Sequence, residues 1–207
     1  LAGRTYAFRI DRRIWDEDWL NRFGLNSENF PTLLPSGIPA GPVAWGELSG
    51  VGLLKGTPVA VAGHDHVCAA FAVGAFSGAV RPGQVLDSMG TAESLLGAYA
   101  NDDLGEKEFA SGLSYGCHVA RGKQYWMGGL SASGGSVEWL RALIGDRELS
   151  YRQVEALVES AARPTGILYF PYLSGSGSPH TDPEARAAFL GLDSAHGRAE
   201  LLAAVLE

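Results

Sequence analysis

The chain has 207 residues, enough to bury a hydrophobic core in one domain or in parts of two. Its formal net charge of −7 argues against a nucleic-acid-binding protein, because such a protein needs clustered Lys and Arg to displace counterions from phosphates. A small anionic or neutral substrate stays open, since the local charge of a site can oppose the net charge. No stretch approaches the ~20 apolar residues of a membrane span, so we expect no membrane partner.

The two cysteines, Cys68 and Cys117, lie far apart and follow no metal-ligand spacing. We expect buried, reduced thiols of a cytoplasmic protein rather than a disulfide, and we assign no residue as the ligand of a metal ion. The chain begins at Leu1 without an initiator Met or a signal-peptide pattern, and residues 199–207 form a helical pattern without a terminator. We therefore expect a fragment of a longer protein.

Short elements alternate with turns at the start of the chain. Residues 5–10 alternate like a strand, and residues 15–23 have the pattern of a short amphipathic helix that starts after Asp16. Pro, Ser and Gly mark residues 26–42 as a loop, anchored by apolar side chains such as Phe30.

A strand-to-helix unit comes next. Residues 57–63 are a short apolar run typical of a buried strand, and the small residues of 67–73 suit a helix packed closely on a sheet. Residues 81–83, Arg-Pro-Gly, predict a turn after which composition and rhythm change. We place a domain boundary at this turn.

Strands and then helices are predicted beyond the boundary. Strands are predicted at 84–87 and 92–100, with residues 88–91 connecting them. A hairpin is predicted from 113–120 and 124–128, and a buried strand at 166–170. The predicted helices run from about Ser133 to Ile144 and over 150–162.

Asp65 carries the strongest chemical signal. It follows a predicted strand and precedes a predicted helix, the place where open α/β sheets present groups to ligands. There the helix dipole favours the ionised carboxylate, which can accept a proton from an attacking alcohol. The alternative is a simple N-cap of the following helix. Of the flanking residues, His64 and His66, either could contact a substrate, and His64 could instead form a hydrogen bond inside the core.

Two further segments could face a phosphate or a nucleotide. Residues 88–91, Ser-Met-Gly-Thr, offer backbone N–H and hydroxyl donors in a tight hairpin, although an ordinary turn explains them as well. Residues 128–135 are rich in Gly and Ser and lead into a helix, which resembles a nucleotide cradle but is no Walker motif. Residues 112–116 fit the G-x-S-x-G pattern of hydrolases, but the strand-like sequence that follows places Ser114 in a sheet.

Together these segments resemble the FGGY family of carbohydrate kinases, in an order and spacing that run through most of the chain. The matching segments are residues 56–65, 82–93, 134–141 and 170–179, followed by Gly191, Leu192 and His196. The resemblance implies an α/β protein with parts of two actin-like ATPase (ribonuclease-H-like) domains, with sugar and ATP meeting between them. Residues 1–81 would be the C-terminal part of the first, sugar-binding domain, and residues 82–207 the N-terminal part of the second, nucleotide-binding domain.

The implied activity is the phosphorylation of a hydroxyl on a free sugar or polyol, with ATP and Mg²⁺ as cofactors. By resemblance Asp65 is the general base, and His64 and His66 lie beside the acceptor. The residues that would border the ATP phosphates and the nucleotide are Gly90, Thr91, Gly134, Gly135 and Glu138. In phosphoryl transfer a protein mainly positions the reacting groups and stabilises charge that is spread over the phosphate. A general base, a phosphate-binding turn and a nucleotide-binding surface are therefore the parts that such a kinase needs.

The chain also departs from the family pattern. The family's N-terminal phosphate hairpin, with its Asp near the metal, and its C-terminal Gly-rich segment match nothing here, so we expect the fragment alone to be inactive. Ser176 and Gly177 stand where a charged residue is usual. A non-catalytic protein that keeps the fold for sugar or nucleotide binding, or for regulation, is the alternative, and association to a homo-oligomer stays open.

Overall fold

A computed structural model gives the structure of residues 1–44, 51–75, 84–99, 104–144 and 149–207, without the side chains of Ala75 and Tyr99. The predicted turn and domain boundary at 81–83 lie outside these residues. The chain divides into two compact units. Unit 1 comprises Leu1–Leu86, Leu96–Lys107 and Ser114–Met127, and unit 2 comprises Asp87–Leu95, Glu108–Leu113 and Gly128–Glu207.

Unit 1 begins with short elements. They are a 3₁₀ turn at Ala2–Arg4, strands β1 (Phe8–Arg9) and β2 (Ile14–Trp15), and helix α1 (Glu17–Asn21). Asp16 caps α1, since its carboxylate accepts a hydrogen bond from the N–H of Trp19 at 3.0 Å. The predicted helix is thereby confirmed, whereas the strand predicted at 5–10 is only two residues long because Thr5 closes the 3₁₀ turn.

The predicted loop at 26–42 contains more regular structure than expected, a 3₁₀ turn at Ser27–Asn29 and strand β3 (Pro39–Pro42). Phe30 is an anchor as predicted, with its ring centroid 4.8 Å from that of Trp15. Strand β4 (Pro58–Ala60) pairs with β3 in antiparallel fashion, but all three of its residues are exposed. The strand predicted at 57–63 is therefore present but shorter than predicted, and its predicted burial is wrong in this chain, because a two-stranded sheet covers neither of its own faces.

Helix α2 (Asp65–Ala75) follows β4 and extends the predicted helix at both ends. On α2, Val67 is 2% exposed and packs with Leu96 and Tyr125 in the core of unit 1. Burying a side chain of this size stabilises a fold by about 1.5–3 kcal/mol. This packing holds the beginning of α2, where Asp65 lies, on the sheet.

A four-stranded sheet has the order β5-β6-β8-β7. Its strands are β5 (Val85–Met89), β6 (Glu93–Tyr99), β7 (Ser114–Cys117) and β8 (Gln124–Leu130), and helix α3 (Glu106–Ala110) precedes β7. Strands β7 and β8 form the predicted antiparallel hairpin, with Ser114 opposite Met127 and Cys117 opposite Gln124. The predicted strand pair around 88–91 is also present, since β5 and β6 are neighbours in the sheet.

Three helices form the core of unit 2. They are α4 (Gly134–Ile144), α5 (Tyr151–Ser160) and α6 (Arg198–Leu206). The hydrophobic cluster that they form consists of Leu140, Val154, Val158, Leu202 and Ala203, together with Ala161 just after α5. Ser150 caps α5 and exchanges hydrogen bonds with Gln153. The bounds of α4 and α5 confirm the two predicted helices.

The last two strands, β9 (Leu168–Phe170) and β10 (Ala188–Leu190), form an antiparallel pair in unit 2. The buried strand predicted at 166–170 is only partly confirmed. Ile167 is 4% exposed, but Leu168 on β9 is 60% exposed. The pair again forms a two-stranded sheet, which leaves one face of β9 uncovered. Among the described residues, no helix is long and apolar enough to cross a lipid bilayer.

Replacing Leu140 by Ala is expected to destabilise the protein by about 2–5 kcal/mol, because it leaves a cavity among the three packed helices. Leu140 is 1% exposed, whereas Leu143 on the same helix is 65% exposed. Leu143→Ala is therefore the matched control, with an expected change within about 0.5 kcal/mol. Urea unfolding of the full-length protein measures both, and equal losses for the two variants would contradict the assigned core.

Candidate functional site

In unit 1, His64, Asp65 and His66, the His-Asp-His cluster, lie at the beginning of α2, shortly after β4 ends at Ala60. Gly63 precedes them, and a Cβ atom there would collide with the side chain of Val119. Only glycine fits this close approach, which brings the chain from β4 to the start of α2. The backbone thus presents three polar side chains in succession where the helix begins.

The Asp65 carboxylate is exposed and ionised. Its side chain is 84% exposed, and Oδ1 accepts a hydrogen bond from the N–H of His66 at 2.8 Å. This hydrogen bond is the main cause that holds the pKa of Asp65 below its usual value. Asp65 is the first residue of α2 rather than the residue before it, so its position differs from that of an N-cap.

The two histidines frame this carboxylate. Their ring centroids lie 5.4 Å apart in an edge-on arrangement. Nδ1 of His64 lies 3.0 Å from Oδ1 of Asp65, an approach whose angle does not make a hydrogen bond. Burial lowers the pKa of His64, so its imidazole is neutral at physiological pH. Within the described part of the chain, Nδ1 of both histidines is buried and has no hydrogen-bond partner.

In unit 2, the glycine-threonine turn (residues 90–92) connects β5 to β6. The N–H of Gly90 donates to the carbonyl oxygen of Ala92 at 2.9 Å and closes the turn. Gly90, Thr91 and Ala92 are all exposed, so the hydroxyl of Thr91 is open to solvent. An exposed hydroxyl on a tight turn is a suitable donor to a phosphate oxygen.

The beginning of α4 contacts this turn. The N–H of Gly134 donates to the carbonyl oxygen of Gly90 at 2.9 Å, and the N–H of Gly135 to that of Thr91 at 3.0 Å. The N–H of Ser133 also donates to Thr91, and the hydroxyl of Ser133 donates to Glu93. The two segments predicted separately are therefore one structure. The amides of the two glycines hold the turn in place rather than facing a ligand.

The close approach explains why two glycines begin α4. A Cβ atom on Gly134 would lie 2.6 Å from the carbonyl oxygen of Gly90, and one on Gly135 would lie 3.0 Å from that of Thr91. Both distances are shorter than an ordinary carbon–oxygen contact, so a side chain would push the backbones apart. The Gly-Gly pair thus fixes how closely the helix approaches the turn.

Glu138 lies one helical turn further along α4 and binds its own chain. Its carboxylate accepts hydrogen bonds from the Tyr151 hydroxyl at 2.5 Å and from Arg141 at 2.6 Å. The hydrogen bond from Tyr151, with that from Arg141, lowers the pKa of Glu138. Glu138 therefore connects α4 to α5 and positions the helix that contacts the glycine-threonine turn.

The comparisons with known proteins cover both units. The family model described as "FGGY family of carbohydrate kinases, C-terminal domain" matches residues 86–207, and that of the N-terminal domain matches residues 1–72. The chain belongs to the FGGY family of carbohydrate kinases. Its fold is accordingly that of the FGGY kinases, an α/β actin-like ATPase fold of which this chain is a part.

Several FGGY kinases are similar to the chain over its whole length. It is 29% identical to a xylulose kinase of Bacillus subtilis, in a match that covers 100% of this chain and 40% of that protein. It is 30% identical to a glycerol kinase of Gloeobacter violaceus, in a match that covers 100% of this chain and 39% of that protein. Among solved structures, a "xyloylose kinase" from Brucella ovis is similar to this chain with a TM-score of 0.75 and 26% sequence identity. The match covers 95% of this chain and 39% of the Brucella ovis chain. The chain thus spans about two fifths of the length of these FGGY relatives.

Sequence reasoning missed one close backbone contact in unit 2. Gly177 packs so closely on β8 that a Cβ atom there would collide with the carbonyl oxygen of Gly129. Next to it, the hydroxyl of Ser178 donates to the carbonyl oxygen of Gly112 at 2.6 Å. This packing accounts for the glycine at position 177, which has no room for a side chain. A backbone contact of this kind leaves only a Gly-rich composition as its signal in the sequence.

The remaining sequence expectations concern the G-x-S-x-G pattern and the cysteines. Ser114 lies in β7, as predicted, and is no hydrolase nucleophile on a strand-to-helix turn. Cys68 and Cys117 are free thiols, but both are half-buried rather than buried. Burial raises the pKa of the Cys117 thiol, which makes it an unreactive residue at neutral pH.

Proposed function

We propose that the full-length protein is a cytoplasmic enzyme that uses ATP to phosphorylate a hydroxyl of a free sugar or polyol. Membership of the FGGY family supports the reaction class, and the named relatives act on xylulose and on glycerol. The observation that carries the proposal is the exposed, ionised carboxylate of Asp65 between two imidazoles. A carboxylate of this kind is a suitable acceptor for an alcohol proton.

In the proposed reaction Asp65 takes the proton of the acceptor hydroxyl while the hydroxyl oxygen forms a bond to the γ-phosphorus of ATP. The bond between that phosphorus and the β–γ bridging oxygen breaks, and ADP leaves. His64 and His66 would bind the acceptor by hydrogen bonds to its hydroxyls. His64 is neutral, so it can donate one hydrogen bond and accept another.

The glycine-threonine turn and the beginning of α4 would border the ATP phosphates. The exposed Thr91 hydroxyl would donate to a phosphate oxygen, Gly134 and Gly135 would hold the turn, and Glu138 would act by positioning α4. When bound, Mg²⁺ would neutralise charge on the phosphates. The open, uncharged turn fits a phosphate that arrives with its own cation, and no side chain here is assigned as a Mg²⁺ ligand.

We further propose that the boundary between the two family domains lies, in sequence, at residues 81–83, although the compact units of the structure place Leu96–Lys107 and Ser114–Met127 with unit 1. Residues 1–81 would belong to the sugar-binding domain and residues 82–207 to the nucleotide-binding domain. The two family matches support this division, because one ends at residue 72 and the other begins at residue 86. Since the relatives are more than twice as long as this chain, we propose that the 207 residues alone are inactive.

The full-length protein is expected to release ADP only when a suitable sugar or polyol is present. A coupled assay with ketoses, aldoses and polyols, at saturating Mg²⁺-ATP, measures this release and names the substrate class. Product analysis must show one phosphate ester formed for each ADP. If a folded protein binds nucleotide but releases no ADP with any acceptor, the kinase proposal is wrong and a binding or regulatory role takes its place.

A further inference from the structure

The His-Asp-His cluster contains a set of metal-binding atoms. A nitrogen of His64, a carboxylate oxygen of Asp65 and a nitrogen of His66 all lie within 4.8 Å of one another. In a tetrahedral site, two atoms that each lie ~2.1 Å from one zinc ion are about 3.4 Å apart, so the widest pair of these groups needs to close by up to about 1.4 Å.

The donor atoms of this cluster are also available. Nδ1 of His64 and Nδ1 of His66 are buried, and within the described part of the chain neither has a hydrogen-bond partner. Buried polar atoms of this kind usually have a partner, so two in adjacent side chains require an explanation. Nδ1 of His64 lies 3.0 Å from Oδ1 of Asp65 without a hydrogen bond between them, a separation that one ion could bridge.

We propose that His64, Asp65 and His66 bind a divalent transition-metal ion such as Zn²⁺, and that the bound ion inhibits the protein. Two imidazoles and one carboxylate are the ligand set that favours Zn²⁺ over Mg²⁺, because Mg²⁺ prefers oxygen ligands and octahedral geometry. Three protein ligands leave a fourth position for water, which can approach from the side of the exposed Asp65 carboxylate.

Inhibition follows from the position of Asp65 and rests on the proposed function. A carboxylate that coordinates a cation is a poorer base for an alcohol proton, because the positive charge stabilises its ionised form. The two histidines would likewise lose their hydrogen bonds to the acceptor. Zn²⁺ should therefore compete with the sugar or polyol rather than with ATP, and raising the acceptor concentration should relieve the inhibition.

Metal binding is tested on the full-length protein without reference to activity. Titration with Co²⁺ should produce the visible absorption of a four-coordinate site, and Zn²⁺ should displace the Co²⁺ at one equivalent. His64→Gln and His66→Gln should each weaken Zn²⁺ binding by at least about tenfold, the loss seen even when a residue that only orients a ligand is removed. His180→Gln is the matched control, since His180 is exposed and lies far along the chain in unit 2.

The outcomes separate this inference from the proposed function. Unchanged Zn²⁺ affinity in both cluster variants, or equal loss in His180→Gln, overturns the metal site whether or not the protein is a kinase. Circular dichroism of each variant checks that a loss of Zn²⁺ binding is not caused by unfolding of the variant. A Co²⁺ spectrum that disappears in both cluster variants supports the site even if no acceptor is phosphorylated. In an active enzyme, Zn²⁺ inhibition that acceptor does not relieve contradicts the competitive mechanism.

Discussion

Replacing Asp65 by Asn should lower kcat of the full-length enzyme by about 10²–10⁴-fold, the contribution typical of a positioned general base. The amide keeps the shape of the side chain but cannot accept the alcohol proton. Because Asp65 is 84% exposed, the change leaves the fold intact. KM for ATP should hardly change, since the carboxylate contributes to the transition state and little to nucleotide binding. Steady-state kinetics with acceptor and ATP varied separately measure both constants.

Asp193→Asn is the matched control for this variant. Asp193 also accepts a hydrogen bond from a nearby backbone N–H, that of Ala195 at 2.8 Å, and lies 3.4 Å from Nδ1 of His196. It therefore shares the local chemistry of Asp65 but lies outside the cluster. Near-wild-type kcat in Asp65→Asn, or an equal loss in both variants, would show that Asp65 is not the base.

Replacing Gly134 by Ala should reduce kcat/KM for ATP by about tenfold to a hundredfold. The new Cβ atom would lie 2.6 Å from the carbonyl oxygen of Gly90, so the glycine-threonine turn and α4 have to separate. A displacement of about 1 Å in a group that positions substrate can cost up to 10²-fold in rate. The same separation lengthens the hydrogen bond from the Gly134 N–H and should lower Tm.

Gly41→Ala is the control for this substitution, because a Cβ atom on Gly41 would meet nothing within 4 Å. Alanine is a better helix former than glycine by about 1 kcal/mol, so without the clash Gly134→Ala would stabilise α4. A clash at position 134 therefore predicts a lower Tm, whereas the absence of a clash predicts a higher Tm. A higher Tm with unchanged kcat/KM for ATP would contradict the close approach of α4 to the turn.

The elements with strong local signals could be predicted from the sequence. Helix α5 has a capping box from Ser150 to Gln153, and α1 has Asp16 as its cap, so both follow from their own residues. Burial of β4 and β9 could not be predicted in this way. An apolar run shows that a strand can be buried, but whether it is depends on what packs on its faces.

The parts of the candidate site were visible only as separate motifs. Asp65, the residues of the glycine-threonine turn and the Gly-Gly pair of α4 each had an ordinary structural explanation. Contacts between positions more than 40 residues apart, such as Gly90 with Gly134, then joined two of these motifs. Gly177 was missed because its role is a close backbone approach, which no residue pattern encodes.

The sequence by itself determined the family, the strand and helix types, and the residue types available for proton and phosphate contacts. These depend on local spacing, capping and periodicity, which short stretches of chain contain. Only the tertiary structure decided that the amides of Gly134 and Gly135 hold a turn rather than a ligand, and that Glu138 binds Tyr151 and Arg141. It also decided that two imidazole nitrogens flank Asp65 without hydrogen-bond partners among the described residues. A hydrogen bond or a steric contact is set by distance in space, and distance between remote residues is fixed only when the chain is packed.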